Sequence, residues 1–205
     1  MLKKLGLLSL AAVSSFAMHT FEININEKDL GLSGKYDIGQ YNNKVEPGTT
    51  FVGVRYLKGS EDNGNMLERH PFSEINFLKV KEISNTGISL GLGVKVNTTV
   101  IDKKTNFKSI PLGLEVVYAL PNVEIIPVTV NASAYYAPEV LSLDDAVQFS
   151  QINLNARLEV IENGLIVLGY RKMDMKLSTP TEEDSEHTTS RTYNDSFYLG
   201  FKFAF

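Results

Sequence analysis

The chain has 205 residues, a length that allows one domain and argues against two. Twenty-four acidic residues against 20 basic ones, a formal charge of −4, speak against nucleic acid as a partner. With no cysteine, no disulfide can staple the fold and no thiolate is available to catalysis or to a metal, and no motif calls for a cofactor.

The amino terminus reads as an export signal. Met1, Lys3 and Lys4 form a short basic segment, and Leu5 to Ala17 is an apolar run ending in small residues. Ser15 and Ala17 stand at the minus-three and minus-one positions, so cleavage is expected after Ala17, with residues 1–17 as signal peptide and 18–205 as the mature domain. About thirteen apolar residues fall short of the ~20 that a spanning helix needs. Removing Lys3 and Lys4 deepens the acidic balance to 24 against 18.

Beyond Ala17 the apolar residues alternate instead of clustering. Ile88, Leu90, Leu92, Val94 and Val96 interleave with Ser89, Gly91, Gly93, Lys95 and Asn97. Ile152, Leu154, Ala156, Leu158 and Val160 interleave with Asn153, Asn155, Arg157 and Glu159. A period of two over about ten positions is strand periodicity. Ten strands are expected, near 19–26, 33–43, 50–58, 72–83, 87–98, 109–120, 123–136, 148–161, 165–178 and 193–205, most of the later ones long enough to cross a bilayer at a tilt. Pro111 and Pro127 fall inside two of these segments, and a proline cannot donate to a ladder, so a bulge or a late strand start is expected at each.

The connections sort by length. Gly59 to Pro71, Asn97 to Phe107, Ala137 to Ala146 and Thr179 to Thr192 are long and polar, whereas Ser84 to Gly87, Pro121-Asn122 and Glu162-Asn163-Gly164 are tight. Outer-membrane barrels show this asymmetry, with long external loops and short periplasmic turns. The fold class read from the sequence is therefore all-β: a transmembrane antiparallel up-and-down barrel of ten strands. A long connection near Asn43 to Thr49 leaves an eight-stranded barrel, without the first two strands, as the alternative.

The final segment ends in Phe197, Leu199, Phe201, Phe203 and Phe205 at alternate positions. Such a phenylalanine-ended strand resembles the assembly signal of outer-membrane barrels, in which an exposed edge pairs by strand addition and alternate side chains select the partner. Further resemblance runs through Tyr135-Tyr136-Ala137-Pro138, Leu141-Ser142, Asn155-Ala156-Arg157 and Leu168-Gly169-Tyr170-Arg171. Over roughly the last seventy residues the chain is similar to the YfaZ-like outer-membrane proteins, while the amino-terminal half shares only the strand rhythm. That resemblance implies a barrel and no established enzymatic activity.

Alternation also assigns the faces. If the apolar set faces lipid, Arg55, Lys95, Glu115, Arg157, Glu159 and Arg171 face the lumen, since Arg or Lys against lipid near the midplane would cost about 2–4 kcal/mol. A polar network that closes the lumen is expected, with a selective narrow pore as the alternative. Tyr56, Tyr118, Tyr135, Tyr136 and Tyr170 near strand ends fit an interfacial girdle.

Candidate chemistry is sparse. His19 reads as a solvated end residue. His70 lies near Ser73 and Glu74, the components of a hydrolytic triad, but sequence neighbours rarely assemble one. His187, in the acidic stretch from Thr181, and Asp62-Asn63-Gly64-Asn65 carry oxygen ligands, and both read as solvated loops rather than cation sites. The sequence thus points to an integral outer-membrane barrel that is not an enzyme and has a structural or surface-exposed role. A porin-like channel for small solutes is the alternative, and a lipid-modifying enzyme a distant third. Expected partners are outer-membrane lipid and lipopolysaccharide, with periplasmic chaperones and the barrel-assembly machinery during biogenesis; oligomeric state stays open.

Overall fold

The computed structural model describes residues 19–27, 29–59, 70–84, 86–101, 105–121, 126–179 and 187–205. The expected signal peptide lies outside them, as do Asp62-Asn63-Gly64-Asn65 and residues 181–186. No helix among the described residues is long and apolar enough to cross a membrane, which says nothing of strands.

Among the described residues twelve strands form in chain order: β1 Thr20–Ile25, β2 Asp29–Asp37, β3 Thr50–Gly59, β4 Phe72–Ile83, β5 Ile88–Val100, β6 Asn106–Ser109, β7 Leu112–Ala119, β8 Val128–Ala137, β9 Ser142–Asp144, β10 Ala146–Ile161, β11 Gly164–Thr179 and β12 His187–Ala204. All pairings are antiparallel, and ten strands close into a ring in the order β1-β2-β3-β4-β5-β7-β8-β10-β11-β12 and back to β1. Both amino-terminal strands belong to this ring, so the ten-stranded reading holds and the eight-stranded alternative falls. Closure is completed at the termini, where the His19 N–H donates to the Phe205 carbonyl and the Phe205 N–H to that of His19, both at 2.9 Å.

The short strands β6 and β9 are upper continuations of β7 and β8. They pair with each other, and β6 also pairs with the end of β5. Ile110 and Pro111 break the segment expected as one strand over 109–120. Pro111 has no N–H for the ladder, but its carbonyl accepts from the Lys95 N–H at 2.9 Å. Pro127 likewise precedes its strand and accepts from the Glu159 N–H at 3.1 Å. At both prolines the strand starts late.

Beyond the proline starts, three boundaries depart most from the sequence expectation. β2 ends at Asp37, whose carboxylate accepts the Gly39 N–H at 3.0 Å and the Gly48 N–H at 2.7 Å, fixing a 3-10 turn over Ile38–Gln40 in place of further strand. β12 begins at His187, because it stays paired with β11 from Gly164↔Phe203 to Thr179↔His187 across one bulge at Met173/Asp174. β6 begins at Asn106, so part of the long connection after Asn97 is also sheet.

The faces follow the pleat. Leu90, Leu92, Val94 and Val96 on β5 point outward and are exposed, and Ser89, Gly91, Gly93, Lys95 and Asn97 point inward. Ile152 and Leu154 on β10 and Phe197, Leu199, Phe201 and Phe203 on β12 are likewise outward, Phe197 being 80% exposed. A closed barrel that is apolar outside and polar inside is the inverse of a soluble one.

Candidate functional site: the lumen

The lumen is layered along the barrel. At the end away from the termini, hereafter the far end, Leu57, Phe72, Phe107, Phe149, Met173 and Met175 pack into a plug that is essentially inaccessible. They arrive from β3, β4, β6, β10 and β11, inward positions at the upper ends of their strands. Phe149 stacks on Phe72 with ring centroids 6.1 Å apart and tilts against Phe107 at 5.9 Å. Tyr193 covers Phe72 and donates its hydroxyl to the His70 carbonyl at 2.9 Å.

Below the plug lies a layer of buried charge. Glu74, 2% exposed, accepts from Lys95 at 3.1 Å and pairs with Arg55 at 3.7 Å, and Asn76 donates to its second oxygen at 3.3 Å. Lys95 reaches across to donate to the side-chain amide oxygen of Gln151 at 3.0 Å and lies 3.8 Å above the Tyr135 ring. Tyr135 donates to Glu115 at 2.8 Å, and Glu115 faces Lys35 at 3.6 Å. A second group centres on Arg171, 1% exposed, which faces Asp29 at 3.7 Å, donates to Asn24 at 3.2 Å and lies 4.8 Å from the Tyr198 ring. Asn194 donates to Asp29, and Tyr198 donates to Asn153 at 3.0 Å.

Three glycines make room for these tyrosines. Gly113 stands beside Tyr135 in register and Gly93 beside Gly113, so the Tyr135 ring lies over both; a Cβ on Gly93 would stand 2.9 Å from its carbons. Gly169 is the partner of Tyr198, and a Cβ there would collide with the ring. An aromatic ring laid over a cross-strand glycine recovers packing that the bare backbone lacks. Here it also aims the hydroxyl along the lumen.

Toward the termini a polar cavity of about 40 Å³ is lined by Glu22, Lys35, Arg55, Arg157, Tyr198 and Lys202 among others. That is room for a few waters, and they would serve the buried atoms of Arg55, Arg157 and Asn155 that have no protein partner.

The structure brings five of the six expected lumen charges inside. Arg55, Lys95 and Glu115 share one connected group, Arg171 anchors the other, and Arg157 lines the cavity. Glu159 does not join them; it stands at the rim, where its carboxylate accepts the Asn163 N–H at 3.4 Å. Tyr135 departs from the expected girdle: it is buried at 3% exposure inside the barrel, while Tyr56, Tyr118 and Tyr136 stay exposed outside. Ser73 and Glu74 lie on opposite faces of β4, so His70, Ser73 and Glu74 do not converge. His19 is no bare terminus: its ring stacks on Tyr36 at 4.3 Å and accepts the Asp37 N–H at 3.1 Å. Among the described residues no group of three or more possible metal ligands converges.

Sequence reasoning missed Glu74, Gln151, Asp29, Asn24 and Tyr198. The alternation that placed Lys95 inward applies to Glu74 and Gln151 as well; what it lacks is any cue to which inward groups meet.

An inverted closed barrel with a plugged, charged interior defines the class of protein. The chain belongs to the YfaZ family, whose model, described as "YfaZ precursor", matches residues 5–205. The match takes in the amino-terminal half, well beyond the seventy residues that carry the resemblance. No curated protein matches the chain.

Proposed function

We propose that this protein is an exported, integral outer-membrane barrel with a structural or surface-exposed role, and that its lumen does not conduct. The observation that carries the reading is the double closure of the lumen. The Glu74–Lys95–Gln151 bridge ties β4 and β5 to β10 across the interior, and the phenylalanine plug lies beyond it. An outward band from Phe21, Ile23 and Leu32 round to Leu168, Leu199 and Phe201 supports the membrane placement, since apolar area of that extent is compatible with lipid and not with water. The family description as a precursor supports export and removal of residues 1–17. Catalysis is not part of the reading: Glu74, Lys95, Glu115 and Tyr135, the acid-base groups of the charged layer, are held by one another.

Planar-bilayer recordings of the refolded chain test it: a silent bilayer is expected, and steady ohmic steps would favour the solute channel instead. Orientation is tested separately. With both termini periplasmic, a protease site inserted near Ser185, between β11 and β12, should be cut on intact cells. Protection there would reverse the orientation. Deleting the gene should raise detergent sensitivity without changing lipid A mass, and a mass change would favour a lipid-modifying enzyme.

A further inference from the structure

Below the charged layer, toward the termini, the lumen has two unlike walls. Phe51 on β3, Leu78 and Val80 on β4 and Val117 on β7 form an apolar wall. Facing it are Lys35 on β2, Arg157 on β10 and Lys202 on β12, with Glu115 between. The pocket they enclose is about 30 Å³ and shares Lys35, Glu115, Arg157 and Lys202 with the polar cavity above it. Both are lobes of one well, blind at the plug. Its charged side chains keep partial exposure, 29% for Lys35 and 13% for Glu115, in contrast to Glu74 above them, so solvent reaches the well from the termini end.

Charge in this well does not balance. Besides Arg55 and Lys95, three basic side chains, Lys35, Arg157 and Lys202, face two carboxylates, Glu22 and Glu115. Lys35 pairs with Glu115 at 3.6 Å. Arg157 and Lys202 feel Glu22 electrostatically, yet among the described residues neither has a carboxylate within ion-pairing distance, and Arg157 Nε is buried without a hydrogen-bond partner. Cations drawn out of bulk water call for an anion. The next layer does not supply one, because Glu74 already serves both Arg55 and Lys95.

We propose that this well binds a small carboxylate carrying a short aliphatic tail. The carboxylate sits between Arg157 and Lys202, where the guanidinium fork matches its two oxygens. The tail lies against Phe51, Leu78, Val80 and Val117, and a lobe of about 30 Å³ limits it to a few carbons. An inorganic anion would use the cations and leave the apolar wall unused; an amine would meet the wrong charge. The inference rests on the closed lumen proposed above, since a well with a sealed floor retains a ligand that a through-channel would pass.

Butyrate is the probe, with acetate and butylamine beside it, titrated into the refolded full chain in detergent while Leu and Val methyl signals are followed by NMR. Saturable shifts are expected at the Leu78, Val80 and Val117 methyls. Butyrate should bind about tenfold tighter than acetate, the effect of two further buried methylenes, and butylamine should not bind. Arg157→Gln should weaken butyrate about tenfold or more, and Leu78→Asn should erase the preference for butyrate over acetate while acetate still binds. Wild-type protein alone can overturn the proposal: no saturable shift, equal affinity for acetate and butyrate, or shifts with butylamine would each do so. The bilayer recording keeps the two readings apart. A conducting barrel that binds butyrate overturns only the closed lumen, and a silent barrel that does not bind overturns only the ligand.

Discussion

The two ends of the lumen close, or fail to close, by different chemistry. At the far end, aromatic and methionine side chains from five strands meet in a cluster that is essentially inaccessible. Toward the termini, Lys35, Glu115, Arg157 and Lys202 line a well that solvent reaches. Size explains the contrast. Phe72, Phe107 and Phe149 bury large apolar area and lose little rotamer freedom, so they can meet at the centre of a ten-stranded ring. Long charged side chains instead reach as far as an opposite charge allows, and with carboxylates too few, space remains. Between the ends, Glu74 is held by two cations and Gln151 by one of them, so the plug rests on a layer that cannot be thinned without stranding a charge.

Breaking the plug should have the largest effect. The pair Phe107→Ala with Phe149→Ala should cost more than the about 3–5 kcal/mol of one buried phenylalanine, and should admit small-ion current if the charged layer alone cannot seal the lumen. Urea unfolding followed by circular dichroism and a bilayer recording would measure both. The two rings touch, so their effects should not simply add.

Next comes Glu74→Gln, which leaves Arg55 and Lys95 buried against a neutral group. A loss of about 3–5 kcal/mol is expected. The matching change in the open half, Glu115→Gln, should cost about 1 kcal/mol, because its partner Lys35 can turn to water. Equal losses in urea titrations would erase the distinction between sealed and open halves.

A charge on the outer face separates membrane from lumen. Leu92 is 68% exposed at the outward middle of β5, and Leu92→Arg should destabilise the barrel in bilayers by about 2–4 kcal/mol. Folding yield into vesicles would show it, and an unchanged yield would move the apolar band away from the bilayer core. The smallest effect belongs to β11, where Lys172 faces Asp174 at 3.8 Å with both partly exposed. Lys172→Ala should change stability by about 0.2–1 kcal/mol at most.

Much of this architecture was legible in the sequence. Period-two alternation in Ile88 to Asn97 and Ile152 to Glu159 set which side chains face out, and loop lengths set which connections share an end. Pro111 and Pro127 announced the late strand starts. Alternation did not correct the girdle expected of Tyr135, because an aromatic at a strand end suits both a girdle and a lumen. Only its register against Gly93 and Gly113 decides for the lumen.

A strand's pleat is a local property, so the sequence alone determined the faces, the closed antiparallel class and the inward direction of Arg55, Lys95, Arg157 and Arg171. Which inward groups meet is a property of the ring. Lys95 bonds Gln151 across 56 positions and Arg171 bonds Asn24 across 147, contacts that exist only once β12 pairs with β1 and curvature brings opposite walls within a side chain's reach. The plug, the shared Glu74 and the under-neutralised pair Arg157 and Lys202 were therefore decided by tertiary structure, through closure and not through any local signal.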